Sequence, residues 1–326
     1  MSKEPNACPS YKTMIGGQAL IEGIMMLGPT KKATVCRKPD GELAVEVSDR
    51  TLIKDRYPIL GLPFLRGIVN FGSSMYNGIK ALMWSAEFYP EEDDAPSEEP
   101  SKFEAWLEKK LGSEKAMSVF ITLAVVMGIA FSVGLFFVLP TLLTGALLYL
   151  FPGFPLWGRN LVEGLAKVVI FVLYLFLCSK MKDIRRTFQY HGAEHKTIFC
   201  YERGLELTVE NVRKMPRHHP RCGTSFLFVV IVLSILISSV VFSFFPATNP
   251  FVRTGAHLLM LPLVVSITYE LNRYVGGHDN ILCRLVRAPG LWMQNFTTFE
   301  PDDSMIEVGI KAFTAVLPEE KGKDQW

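Results

Sequence analysis

Two histidines and a glutamate stand at the spacing H-x-x-E-H in the segment from His191 to His195. On a helix, positions 191 and 195 lie one turn apart on the same face, so both imidazoles can bind one metal ion. Glu194 lies close to that face, where a carboxylate can hold or deprotonate a water molecule. The order is the inverse of the H-E-x-x-H motif of zinc proteases. The pattern predicts a site for zinc or another divalent transition metal, with Glu194 as the catalytic general base.

A catalytic zinc site has three protein ligands and one open position, so a third ligand is needed. The sequence offers Glu270, Cys222 and His219. Glu270 is predicted at the cytoplasmic end of a membrane helix, level with the motif, and inverted zinc-protease sites take a carboxylate from a separate downstream helix. An ionisable residue there also needs a partner in its own right.

The same residues allow a closed structural metal site. His191, His195, His219 and Cys222 have a spacing that suits four-coordinate zinc, which would staple a long loop. Glu194 would then accept a hydrogen bond from a ligand instead of acting on water.

Two further interpretations need no metal. In the first, His191 and His195 form hydrogen bonds within a polar network. The candidate partners of this network are Glu194, Glu270 and Arg273. In the second, Cys222 is a nucleophile activated by His195 or His219, and Arg221 beside it lowers the pKa of the thiol.

The composition favours a membrane protein. Hydrophobic residues make up 49% of the 326 residues, which is high for a soluble protein. The net charge of only +2 argues against a nucleic-acid partner. The 6 cysteines include no C-x-x-C pair, which favours a reducing compartment over a disulfide scaffold.

Four apolar segments predict four transmembrane helices. The stretch from Ala116 to Gly158 has no charged residue and is too long for one crossing at about 1.5 Å per residue. Pro140, Pro152 and Pro155 divide it, which predicts a short re-entrant or interfacial helix at 141–151. The predicted spans are residues 117–139, 160–179, 224–245 and 254–270. The second span carries Glu163 and Lys167 as an i,i+4 pair, and the fourth carries His257, for which a packing hydrogen bond is expected.

Lysine and arginine are concentrated in the central polar segment, residues 180–222. Its basic residues are Lys180, Lys182, Arg185, Arg186, Lys196, Arg203, Arg213, Lys214, Arg217 and Arg221. By the positive-inside rule this segment and both termini are cytoplasmic. The same residues can also contact anionic lipid headgroups.

The predicted domain order follows from these spans. Residues 1–90 form a small cytoplasmic α+β unit, with a hairpin around 38–41 and a helix over 59–84. The glycine-rich segment 16–23 matches neither the Rossmann nor the Walker pattern, so tight packing of a strand against a turn is favoured over a phosphate-binding loop. The remaining predicted parts are an acidic linker at 91–100, an interfacial amphipathic helix at 101–116, a first membrane pair at 117–179, the cytoplasmic His/Cys loop at 180–222, a second membrane pair at 223–271 and a cytoplasmic tail at 272–326. In the tail, Ser304 to Glu307 predicts a capping box that opens a helix.

The motifs along the chain resemble a known family. The segments GGQALIEGIMM at 16–26, YHGAEHK at 190–196, HPRCGTSF at 219–226, ELNR at 270–273 and PGLWMQNFTTFEP at 289–301 carry the resemblance. They are similar to those of the YqhQ-like family, bacterial integral membrane proteins with a domain of unknown function. The resemblance implies a metal-dependent enzyme of unspecified substrate. The motif residues that carry over are His191, Glu194, His195, His219, Cys222 and Glu270.

The sequence therefore predicts a polytopic α-helical membrane protein of the bacterial cell membrane, with about four transmembrane helices. The expected function is a metal-dependent hydrolase at the cytoplasmic face, acting on a peptide or lipid-headgroup bond. The alternative is a non-enzymatic membrane scaffold or assembly factor with a cytoplasmic protein partner. The lipid bilayer is a partner in either case, and the sequence does not specify an oligomeric state.

Overall fold

The structure is a computed structural model that describes residues 11–89, 112–151, 153–247, 249–320 and 322–325. It is mostly helical, with one small sheet. The described residues of Met1–Phe88, Val172–Ser234 and Met260–Trp326 form one compact unit, and those of Tyr89–Phe171 and Ile235–Leu259 form a second. The predicted linker at 91–100, and the predicted interfacial helix up to residue 111, lie outside the described residues.

The first unit begins with a four-stranded antiparallel meander. Its strands are β1 (Gly16–Leu20), β2 (Gly23–Leu27), β3 (Lys31–Arg37) and β4 (Leu43–Asp49), hydrogen-bonded in the order β1-β2-β3-β4. The hairpin predicted around 38–41 joins β3 to β4, with Arg37 opposite Leu43. Gly41 adopts φ +89°, a left-handed conformation that costs glycine little. The glycine-rich segment forms β1, a two-residue turn and the start of β2; the sequence predicted the strand and its turn but not the second strand.

The helices, in chain order, are α1 (Ile53–Arg56), α2 (Leu65–Ala86), α3 (Ser113–Val133), α4 (Leu139–Leu150), α5 (Leu156–Cys178), α6 (Lys182–Glu202), α7 (Val209–Arg213), α8 (Gly223–Phe244), α9 (Pro250–Gly277), α10 (Ile281–Thr297) and α11 (Asp303–Val316). A 3-10 turn, Pro58–Gly61, precedes α2. The predicted helix at 59–84 is thus α2 with its approach.

Helices α6 and α11 pack on one face of the sheet and close the core of the first unit. Ile24 and Val35 from the sheet meet Tyr190 of α6 and Phe313 of α11, all fully buried. Buried apolar residues of α11 at helical spacing, among them Ile306 and Phe313, account for this packing. Its N-cap differs from the prediction: Asp302 accepts a hydrogen bond from the Met305 amide at 3.0 Å, and the capping box from Ser304 does not form.

In the described part of the chain, four helical stretches are long and apolar enough to cross a membrane. They are Thr122–Leu150, Trp157–Cys178, Gly223–Phe244 and Pro250–Gly277. Their number and places agree with the predicted spans, except at the first. There α3 and α4 continue into one another through a π-turn, Gly134–Val138, and Pro140 does not separate an independent helix at 141–151. The wider π-turn accommodates the proline, which lacks an N–H and crowds the preceding turn.

Candidate metal centre

The H-x-x-E-H segment is helical. It lies in the second half of α6, where the surrounding residues are buried against the sheet and α11. His191 and His195 are therefore on the same face, with ring centroids 4.3 Å apart. The predicted His/Cys loop is in fact built largely from α6 and the short α7.

Cys222 joins the two histidines in a three-membered group. The nearest ligand atoms of His191, His195 and Cys222 all lie within 4.8 Å of one another. His191 Nε2 is 3.1 Å from Cys222 Sγ. Cys222 immediately precedes α8, and so a loop end meets the middle of α6. Two imidazoles and a thiol form a donor set that zinc and related transition metals prefer.

Backbone carbonyls hold both imidazoles in one tautomer. His191 Nδ1 is 2.8 Å from the Thr297 carbonyl, and His195 Nδ1 is 2.6 Å from the Arg217 carbonyl. Because a carbonyl only accepts, each Nδ1 carries the proton and donates it. The lone pair of each neutral ring is then on Nε2, the atom available to a metal. His195 Nε2 is buried and has no hydrogen-bond partner.

Glu194 is held at one oxygen and uncommitted at the other. Its Oε1 accepts a hydrogen bond from the Gly17 amide of β1 at 2.9 Å. Its Oε2 is buried without a hydrogen-bond partner. Burial raises the pKa of Glu194 above its ordinary value, although His191 and His195 oppose the shift. Gly17 permits this approach, because a Cβ there would lie 3.2 Å from Glu194 Cδ and 2.5 Å from the Met25 carbonyl oxygen.

The cysteine and the first histidine stabilise each other's charged forms. Burial alone would raise the pKa of Cys222, but the neighbouring His191 and His195 hold it well below its ordinary value. Burial alone would lower the pKa of His191, but the sulfur of Cys222 raises it to about 9. Without a metal, the site therefore favours a thiolate beside an imidazolium. A bound cation would replace the imidazolium proton as the counter-charge of the thiolate.

His219 lies beside the group but not in it. Its ring centroid is 5.5 Å from that of His195, and its Nε2 is 3.6 Å from Glu202 Oε2, longer than a hydrogen bond. Burial, with Arg221 next, lowers its pKa well below the ordinary value, which favours the neutral ring. Gln294 of α10 fixes its main chain by accepting from the His219 amide at 2.7 Å and donating to its carbonyl at 2.8 Å.

Glu270 is engaged elsewhere. Both of its carboxylate oxygens accept hydrogen bonds from the Arg66 guanidinium of α2. One of them also accepts from the Phe64 amide at 3.3 Å. The structure thus brings Cys222 to the two histidines and leaves Glu270 in an ion pair.

Four supporting residues were not predicted from the sequence: Gly17, Thr297, Arg217 and Gln294. Three of them contribute only through the main chain, which leaves no side-chain pattern to detect. Gln294 contributes through its side-chain amide. Two of the motifs that carry the family resemblance contain Gly17, Gln294 and Thr297.

The comparisons with known proteins identify a family and give no activity. The family model described as a protein of unknown function, DUF1385, matches residues 62–319. The chain is also similar to the uncharacterized protein YqhQ of Bacillus subtilis (strain 168), with 34% identity over 319 residues, covering 95% of this chain and 92% of that protein. No solved structure matches the chain. The chain therefore belongs to the DUF1385 family of proteins of unknown function.

Proposed function

We propose that the chain is a multi-pass bacterial membrane protein and a metal-dependent hydrolase, with the metal held by His191, His195 and Cys222. The supporting observation is a pair of buried groups without partners on consecutive residues of α6. His195 Nε2 and Glu194 Oε2 are both buried with no hydrogen-bond partner in the described part of the chain. Buried polar groups are seldom left unpaired, so two together point to a missing ligand.

Three protein ligands are the number that a catalytic zinc site uses, with the fourth position left for water or substrate. When bound, such an ion would act as a Lewis acid and make water a nucleophile near neutral pH. His191 and Cys222 are only partly buried, in contrast to His195. The open position is proposed on the side of these two residues.

Glu194 is proposed as the general base. The Gly17 amide anchors one oxygen and leaves the other free to take a proton from water. Its raised pKa brings the carboxyl closer to neutral pH, where a general base is most effective. The carbonyls of Thr297 and Arg217 hold His191 and His195 in place, so the ligands keep a fixed position relative to the proposed base.

The membrane location is proposed from the four apolar helices and their flanking charges. An even number of spans puts both termini on one side. The basic residues between α5 and α8 make that side cytoplasmic by the positive-inside rule. The candidate metal centre lies in the same segment, so the hydrolysed bond would be at the cytoplasmic face, in a peptide or a lipid headgroup.

The test compares three variants of the detergent-purified protein for metal content and for hydrolysis of peptide and phospholipid substrates. We expect one equivalent of metal in the wild type and none in the His191→Ala/His195→Ala double variant. Glu194→Gln is expected to keep the metal and lose turnover. Glu210→Gln, at an exposed carboxylate paired with Lys214, is the matched control and should keep both.

The alternative function is a scaffold with a structural metal. The observation that favours it is His219 Nε2, which is buried without a hydrogen-bond partner close to His195. A closed site would recruit this nitrogen as a fourth ligand, whereas an open site would not need it. His219→Ala should therefore lower metal content if the site is structural and leave it unchanged if it is catalytic. A wild type that takes up no metal after supplementation would exclude both metal functions.

A further inference from the structure

The second unit contains a charged cluster among its apolar helices. Glu163 and Lys167 of α5 meet Arg253 and His257 of α9, and each side chain is at most 8% exposed. The sequence predicted the Glu163–Lys167 pair and a packing role for His257. It did not predict that Arg253 would be turned inward to the same carboxylate.

Several donors already share the carboxylate of this cluster. Glu163 Oε2 accepts a hydrogen bond from Arg253 Nε at 2.6 Å. Its Oε1 accepts from His257 Nε2 at 2.9 Å and from Thr141 Oγ1 at 3.2 Å, and lies 3.2 Å from Lys167 Nζ. Glu163 is thus shared by Arg253, Lys167 and His257.

Arg159 is a buried cation of this cluster that is not paired with Glu163. It is 4% exposed, and its Nε is buried without a hydrogen-bond partner. It lies one helical turn before Glu163, yet no ion pair joins them among the described residues. Its charge is still close enough to interact with those of Arg253 and Glu163. Thr254 Oγ1, next to Arg253 in sequence, is a second buried atom without a partner.

The charges in this cluster do not balance. Arg159, Lys167 and Arg253 are cationic, and Glu163 is the one carboxylate among the described residues that faces them. Burying uncompensated charge away from water is strongly unfavourable. Arg159 and Arg253 also lie in the first turns of α5 and α9, where the helix dipole favours an anion.

We propose that Arg159 and Arg253 form a binding site for a phosphate-type anion, with the Thr254 hydroxyl as an additional donor. Guanidinium groups match phosphate oxygens through paired hydrogen bonds, which suits a site with an arginine to spare. Asn160 orients Arg253, because its Oδ1 accepts a hydrogen bond from Arg253 Nη2 at 2.7 Å. The anion can come from a phospholipid headgroup or from free phosphate. This site is separate from the candidate metal centre and does not depend on hydrolysis.

The experiment measures anion binding to the full-length protein in detergent by the rise of its thermal unfolding midpoint. One arm titrates inorganic phosphate at constant ionic strength, and the other adds phosphatidylglycerol to the micelles. We expect one probe to raise the midpoint in a saturable manner, and the responding probe identifies the source. Arg159→Gln should raise the apparent Kd on the order of tenfold or more, since it removes charge-assisted hydrogen bonds.

Two further variants keep the test decisive. Arg273→Gln, at an exposed arginine near the other end of α9, is the matched control and should bind like the wild type. Glu163→Gln removes the competing carboxylate and should tighten binding. If Arg159→Gln does not fold, Arg159→Lys keeps the charge and should retain weakened binding. The proposal is overturned if neither probe raises the midpoint, if Arg159→Gln or Arg159→Lys binds as tightly as the wild type, or if Arg273→Gln loses as much.

Discussion

Gly192, inside the H-x-x-E-H segment, offers a sharp test because local and tertiary effects have opposite signs there. Alanine is the better helix former by about 1 kcal/mol, so helix propensity alone predicts that Gly192→Ala stabilises α6. In the structure, a Cβ at this position would lie 2.0 Å from the carbonyl oxygen of Phe299 and 3.5 Å from Pro301 Cδ. Glycine is needed because another part of the backbone approaches the helix.

The size of the effect follows from the shift that alanine would impose. A carbon and a carbonyl oxygen ordinarily approach no closer than about 3.3 Å, so the backbone at Phe299 would move by about 1.3 Å. That shift would break the hydrogen bond from the Phe299 amide to the Phe188 carbonyl, now 3.0 Å. Overpacking of this kind costs about 1–3 kcal/mol, and together with about 1 kcal/mol for the lost hydrogen bond it exceeds the gain in propensity. The carbonyl of Thr297, two residues away, would also lose its position against His191.

The assay is thermal unfolding in detergent together with metal content. Gly192→Ala should lower the unfolding midpoint by about 2 °C or more and reduce metal content. Gly72→Ala is the matched control, since Gly72 lies in α2 and a Cβ added there would meet nothing within 4 Å, so the variant should be neutral or stabilising. A Gly192→Ala protein as stable as the Gly72→Ala protein, with full metal, would refute the packing of residues 297–301 against α6.

Two other predictions concern the ligands. In metal-free protein near pH 8, an alkylating reagent should modify Cys222 faster than Cys36 and Cys200. Burial raises the pKa of Cys36 to about 12 and that of Cys200 to about 11, whereas the neighbouring histidines hold the pKa of Cys222 well below its ordinary value. Bound metal should protect Cys222, and equal labelling of the three cysteines by peptide mass spectrometry would contradict this prediction. Glu270→Gln should keep full metal content because Glu270 is paired with Arg66, whereas Cys222→Ser should lose most of it; the reverse result would assign the third ligand to Glu270.

Much of the local structure could be predicted from periodicity and turn chemistry. The hairpin between β3 and β4 was predicted from two strand-like runs around residues 38–41. Helix α2 was predicted from the spacing of its apolar residues, α11 from a capping box, and the four membrane-length helices from long uncharged apolar segments. These features depend on neighbours within a few residues, which the sequence displays directly.

The differences arise where one local signal competes with another. Pro140 was expected to end a helix, but a π-turn lets the chain continue. Ser304 was expected to cap α11, but Asp302 lies two residues earlier and caps the helix through the Met305 amide. Pro140 is a standard signal for the end of a helix, and Ser304 is a standard signal for its start. In both places the backbone geometry, and not the residue type, decided where the helix begins or ends.

The sequence by itself determined the family likeness, the apolar helices and the spacing that puts His191 and His195 on one helix face. Only the tertiary structure distinguished Cys222 from Glu270 as the third member of the group. It also supplied the carbonyls of Thr297 and Arg217 and the amide of Gly17, which orient the histidines and Glu194. The physical reason is that helical periodicity fixes directions within one segment. Which distant segment meets that face depends on packing, and main-chain donors and acceptors are the same in every residue.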